Sequence, residues 1–216
     1  MKDRKSRTGH NLKRWAAKYG APVYRHLLSA DFSLFVRALC ASPRGTGSAC
    51  PSSRYLARTM AREAVRAKPG LVVELGAGTG VVTRALLEQG ITPDHLVVIE
   101  RSPLLAAHLR EKFPHVRIIE GDAARLGQLL AGRGLAAADV TAVVSSLPLK
   151  SLPAISVARI GRELNRVLPA GTLFVQFTYS LRAGEVGWRH TARCVRSRTV
   201  WRNVPPARVN SFAWGC

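Results

Sequence analysis

Residues 73–80 read Val73-Glu74-Leu75-Gly76-Ala77-Gly78-Thr79-Gly80. A short apolar run, Leu71–Leu75, leads in, and an apolar-periodic stretch, Thr79–Gln89, leads out to Gly90. This is a strand, a glycine turn and a helix. Glycines at alternate positions let the backbone turn tightly and approach a ligand closely. In an open α/β sheet such a first crossover lies beside the ligand crevice at the carboxyl ends of the strands. The spacing G-x-G-x-G differs from the dinucleotide fingerprint G-x-G-x-x-G, and no Lys-Ser/Thr follows as a phosphate loop would require.

Working outward, strands and helices alternate. Leu96–Glu100 reads as a strand, Pro103–Phe113 as a helix with Pro in its first turn, and Val116–Ile119 as a strand. Ala124–Leu130 is a short helix, Val140–Ser145 a strand, Ile155–Leu168 a helix and Leu173–Tyr179 a strand. A helix over about 52–67, capped by Ser52 or Ser53, precedes the first strand. The alternation predicts a mostly parallel sheet covered on both faces. The segment Trp188–Trp214 lacks a helical pattern and reads as an antiparallel hairpin that finishes the sheet.

Composition narrows the function. The 216 residues suit one domain, and 47% hydrophobic content is enough for a core. No apolar run reaches membrane-span length, and the Arg-rich, acid-poor N-terminus has no apolar stretch of the signal-peptide kind. Cys40, Cys50, Cys194 and Cys216 form no C-x-x-C pair, so free thiols are expected and no metal. The 33 Lys and Arg against 13 Asp and Glu give a net charge of +20, a field that attracts polyanions, whether nucleic acid or an anionic membrane.

Much of that charge lies at the N-terminus, where residues 1–26 carry eight Lys and Arg against Asp3. Leu12, Trp15, Ala16 and Tyr19 fall on one helix face, with Lys13, Arg14 and Lys18 around it. A second periodic stretch, Leu27 to Leu39, leads to a breaker-rich loop, 42–48. The expected division is an arm over 1–50 and a catalytic domain over 51–216.

Glu-x-Gly-x-Gly-x-Gly resembles the first motif of class I methyltransferases, which implies S-adenosylmethionine as cofactor on a Rossmann-like sheet. Four stretches make the likeness narrower. They are Gly47-Ser48…Pro51-Ser52-Ser53…Leu56-Ala57, the glycine motif through Thr83, Val143-Val144-Ser145-Ser146-Leu147-Pro148, and Gln176-Phe177-Thr178-Tyr179 with Val200-Trp201-Arg202-Asn203-Val204-Pro205-Pro206-Ala207-Arg208-Val209. Together they resemble the small bacterial phospholipid N-methyltransferases, which convert phosphatidylethanolamine towards phosphatidylcholine. Arg202 stands where that family is expected to carry an apolar residue.

The resemblance implies a cofactor site made of Glu74, Gly76, Ala77, Gly78, Thr79 and Gly80, with Glu100 on the ribose and Arg101 beside it. Gly121, Asp122 and Ala123 would meet the adenine, Asp122 at its amino group; Asp122 is equally placed to cap the next helix. Ser145, Leu147, Gly47 and Ser48 complete the set, the last two in a lid. Tyr179 is expected to hold the substrate amine through its hydroxyl and ring face, Ser146 to orient it, and Arg182 or Arg208 to take the lipid phosphate. Lys5, Lys13, Arg14, Trp15, Lys18 and Tyr19 are expected to bind an anionic membrane surface peripherally, on the cytoplasmic side. No stable protein partner is implied.

The alternative is an RNA methyltransferase, for which the charge speaks. Against it stands the Ser145-Ser146-Leu147-Pro148-Leu149 post. Enzymes that methylate an adenine ring nitrogen place Asn or Asp at the Ser146 position and an aromatic ring at the Leu149 position. Without that ring, stacking of roughly 1–3 kcal/mol per base is missing.

Overall fold

The computed structural model describes residues 53–180, 191–203 and 205–215. The expected arm, with Lys5, Lys13, Arg14, Trp15, Lys18, Tyr19, Gly47 and Ser48, lies outside the described residues, as does Arg182. In chain order the main elements are α1 (Arg54–Ala64), β1 (Leu71–Leu75), α2 (Val81–Glu88), β2 (Leu96–Glu100), α3 (Pro103–Lys112) and β3 (Arg117–Glu120). They continue with α4 (Leu126–Ala131), β4 (Val140–Ser145), α5 (Ala154–Val167), β5 (Leu173–Thr178), β6 (Ala192–Val200) and β7 (Ala207–Trp214).

The seven strands form one sheet in the order β3-β2-β1-β4-β5-β7-β6. Strands β1 to β5 pair in parallel, whereas β7 is antiparallel to β5 and to β6. The hairpin is therefore present, and its second strand, not its first, adjoins β5. This is the class I methyltransferase Rossmann-like sheet.

Alternation along the buried strands explains the two layers. Val72, Val98, Val144 and Val175 face one way, into a core with Leu56 and Met60 of α1, Leu86 of α2 and Leu109 of α3. Val73, Val97, Val143 and Phe174 face the other way, against Leu126 and Leu130, and Ile160 and Leu164 of α5. Phe174 also stacks at a tilt on Trp214, centroids 5.3 Å apart. Each such large side chain stabilises the fold by roughly 1.5–3 kcal/mol when fully buried.

Local chemistry sets the helix ends. The Leu56 amide donates to the Ser53 hydroxyl at 3.2 Å, which caps α1. Leu56, Ala57, Met60, Ala61 and Ala64 make its buried stripe, and Arg54, Arg58 and Arg62 face outward. The helix ends at Ala64, three residues before the expected Ala67. Similarly, α2 starts at Val81 and not at Thr79, because its cap Gly80 adopts φ 80°, outside the helical region. The short helix after β3 begins as a 3-10 turn, Ala123–Arg125.

Candidate active site

The loops after β1, β2, β3 and β4 meet at one end of the sheet. Backbone hydrogen bonds bind them together beyond the strands. The Gly76 amide donates to the Ile99 carbonyl at 2.8 Å, the Gly121 amide to the Glu100 carbonyl at 3.0 Å, and the Ser146 amide to the Leu75 carbonyl at 2.9 Å. Between them opens a cleft lined by Gly76, Gly78, Glu100, Arg101, Gly121, Asp122, Ala123, Ser146 and Leu147. The structure thus brings these nine expected residues together. Ile99, Leu105, Leu152 and Ile160 add an apolar wall that the sequence reading did not include.

The glycine loop needs its glycines for two different reasons. Gly76, at φ 72°, lies so close to Leu147 that an added Cβ would sit 2.6 Å from Leu147 Cδ2. Gly78, at φ 58°, has nothing within 4 Å of that position, so its open side faces the cleft. Lys112 of α3 fixes the loop from behind, its Nζ donating to the Thr79 carbonyl at 2.9 Å. Sequence offered no sign of this support, because it depends on the α3 end folding back over the loop.

Two carboxylates shape the electrostatics. Glu100 is buried and takes two amides, Gly78 N–H on Oε2 and Ser102 N–H on Oε1, each at 2.9 Å. Burial pushes its carboxyl up from the ordinary value, and the hydrogen bonds from Ser102, Gly78 and Arg101 oppose the shift. Glu74 is fully buried beneath the loop. Its Oε2 accepts from the Thr83 hydroxyl at 2.7 Å, while its Oε1 has no partner. Burial raises its pKa to about 8, against the Thr83 hydrogen bond and with a further push from the Glu100 charge.

Asp122 caps the turn that follows β3 and also lines the cleft. Its Oδ1 accepts from the Ala124 amide at 2.9 Å. Ser145 and Ser146 both carry buried hydroxyls without a partner. Gln176 of β5, in register with Ser145, holds the post: its Nε2 donates to the Leu147 carbonyl at 2.9 Å. Tyr179 lies just past the end of β5, 40% exposed and edge-on to Phe177, so it is not a buried structural tyrosine. Arg208 pairs in register with Thr178, and its buried Nε has no partner.

These residues fit S-adenosylmethionine. Beneath the glycine loop, the Glu74 oxygen without a partner leaves an acceptor for a polar group of the ligand. A glycine open to the cleft admits a close ligand. Glu100 suits a ribose diol, and the Ile99–Leu105 wall beside Asp122 suits a purine with an exocyclic amine. Among the described residues no cluster suits a metal ion.

Residues 72–171 match a family model described as a methyltransferase domain. The chain is 36% identical to the ornithine lipid N-methyltransferase of Singulisphaera acidiphila, over 82% of this chain and 93% of that protein. A shorter stretch, 24% of this chain and 18% of the relative, is 45% identical to ribosomal RNA small subunit methyltransferase A of Chlorobium chlorochromatii. Among solved structures, the N-methyltransferase NodS of Bradyrhizobium japonicum WM9 with S-adenosyl-L-homocysteine superposes with a TM-score of 0.58. It covers 86% of this chain and 99% of NodS at 13% identity, a likeness of fold. The long match at 36% identity, with the cleft built to suit its cofactor, decides the family: this chain belongs to the S-adenosylmethionine-dependent lipid N-methyltransferases of class I fold.

Proposed function

We propose that the protein methylates the amine of a membrane lipid headgroup, with phosphatidylethanolamine and its mono- and dimethyl derivatives as substrates on the way to phosphatidylcholine. The observation that carries this reading is the mouth of the cleft. It offers Ser146 and Leu147, followed by Leu149 where a base-methylating enzyme carries its stacking ring, in a chain whose long match is to a lipid enzyme. When bound, S-adenosylmethionine supplies an electrophilic methyl group on its sulfonium.

The chain's own contribution is mainly positioning. Glu74 and Glu100 would hold the two polar ends of the cofactor, and the glycine loop lets it approach. The attacking amine must be neutral. The Ser146 hydroxyl, buried and without a partner, accepts an N–H of that amine and aims its lone pair. Tyr179 offers a second acceptor and a ring face, which also suits an increasingly methylated cation. Water at the exposed mouth takes the proton released.

Arg208 is one of the two expected phosphate partners, and its Nη1 donates to the Ser197 hydroxyl at 3.4 Å. Its register with Thr178 sets it one residue from Tyr179, which supports an anionic partner there. An ornithine lipid would offer a carboxylate to the same cation, so the headgroup must be tested. The N-terminal arm, with Trp15 and Tyr19 amid Lys and Arg, would hold the enzyme on an anionic membrane from the cytoplasmic side.

The test is to offer phosphatidylethanolamine and ornithine lipid vesicles separately and weigh the products by mass spectrometry. Phosphatidylethanolamine gaining up to three methyl groups supports the reading. Methylation confined to ornithine lipid replaces the headgroup and keeps the chemistry.

A further inference from the structure

Four of the six large apolar side chains exposed among the described residues lie at one end of the molecule. Leu104 starts α3 just after β2, and Ile155 lies in the first turn of α5, after β4. Tyr179 follows β5, and Trp201 tops the β6–β7 hairpin. Because β7 runs antiparallel to β5, with Arg208 opposite Thr178, that hairpin tip lies at the carboxyl end of the parallel strands. All four therefore surround the end that carries the cofactor cleft. Exposed apolar residues scattered singly mean little; these four share the end of the sheet at which a lipid would have to enter.

Trp201 is the most exposed of them, at 71%. It does not hang on a loose loop. The Asn203 amide donates to the Val200 carbonyl at 3.2 Å, and the buried Asn203 side chain donates to the Pro205 carbonyl at 2.7 Å. These two hydrogen bonds hold the backbone around Trp201 at the end of β6. Beside it, the guanidinium of Arg202 lies 5.4 Å from the ring centroid of Tyr55, and that of Arg54 lies 5.0 Å from the same ring. Arg54 Nη2 also donates to the Tyr55 hydroxyl at 3.0 Å. An exposed indole followed in sequence by Arg202, with Arg202 and Arg54 over one ring, combines an apolar anchor with positive charge.

We propose that this end of the sheet docks onto an anionic bilayer, with Trp201 inserted at the headgroup level and Arg202 and Arg54 on the lipid phosphates. Indoles prefer that depth, where the ring is buried and its N–H is wet. Docking there seats the mouth against the headgroups, so an amine reaches Tyr179 and Ser146 without the lipid leaving the membrane. The proposal rests on the lipid reading of the mouth. It is separate from the N-terminal arm, since it uses the β6–β7 hairpin and predicts which way the domain faces.

The experiment uses the full chain and vesicles of equal parts phosphatidylglycerol and phosphatidylcholine. Trp201→Ser and Arg202→Glu are compared with wild type by co-sedimentation, with thermal melting and S-adenosylhomocysteine binding as checks on the fold. Together the two changes are expected to weaken partitioning at least about tenfold, with melting and cofactor binding preserved. In a Trp15→Phe/Trp188→Phe background, Trp201 and the buried Trp214 remain. Brominated lipid is expected to quench this fluorescence, and Trp201→Phe to abolish the quenching. Unchanged partitioning together with an unquenched Trp201 overturns the proposal. Docking without methyl transfer to any lipid refutes the substrate reading and leaves the surface standing.

Discussion

The amide of Gly78 donates to the carboxylate of Glu100 across 2.9 Å and joins the turn after β1 to the end of β2. One bond thereby couples the two parts of the cofactor site that sequence places 22 residues apart. Glu100 shapes the loop as well as offering itself to a ribose. Glu100→Gln keeps the size and loses the charge-assisted bonds, which are worth about 1.5–3 kcal/mol. S-adenosylhomocysteine affinity, read by calorimetry, is expected to fall roughly ten- to a hundredfold.

The glycines separate stability from binding. Gly76→Ala and Gly80→Ala each put a Cβ into a neighbour, Leu147 Cδ2 at 2.6 Å and Phe113 Cε2 at 2.5 Å, in addition to a positive φ. Gly78→Ala meets no neighbour and bears only the left-handed backbone cost, about 1–2 kcal/mol. Melting temperatures should drop further for the first two than for Gly78→Ala. Cofactor binding should fail in Gly78→Ala even where its melting is near wild type, because its methyl would point into the cleft. A Gly78→Ala protein that melts lowest of the three contradicts this account.

Glu74 gives a pH dependence with a definite sign. Its carboxyl is raised from about 4.5 to about 8 by burial, so the folded chain retains a proton that the unfolded chain sheds. Folding then takes up a proton, and this group's contribution to stability declines as pH rises from about 4.5 to about 8. Glu74→Gln removes that slope and keeps an acceptor for Thr83. In the cofactor-free protein the melting curve of the variant should gain on wild type steadily across this range. Parallel curves would show that Glu74 does not carry the proton.

Glu63 anchors the hairpin edge. Its buried carboxylate meets Arg198 Nε at 2.8 Å, Arg196 Nε at 3.4 Å and Arg66 Nε at 3.7 Å, and accepts from the Ser211 hydroxyl at 3.3 Å. Glu63→Ala is expected to destabilise by about 2–4 kcal/mol in denaturant titration. Arg66→Ala, which removes a half-exposed partner, should cost less than about 1 kcal/mol.

Sequence showed much of this plainly. Leu71–Leu75, Leu96–Glu100 and Val140–Ser145 were legible to the residue, since buried parallel strands are short apolar runs ended by turn residues. The cleft residues were legible because they follow strand ends. Long-range contacts were not. Glu63 and Arg198 are 135 residues apart, and nothing in their neighbours marks the pairing. Gln176 looked like one residue of a β5 motif, and its hold on the Leu147 carbonyl depends on the β4–β5 register. Trp201 looked like part of a family motif; its exposure follows only from the hairpin's closure by Asn203.

The most direct test of the central claim is methyl transfer from labelled S-adenosylmethionine by the wild-type chain. One tube holds phosphatidylethanolamine in anionic vesicles and a parallel tube holds ribosomal RNA. The account predicts label in the lipid, as mono-, di- and trimethylated headgroups, and none in RNA. Label in RNA with none in lipid would contradict it, and would reassign both the Ser146 post and the chain's positive charge to a nucleic acid substrate.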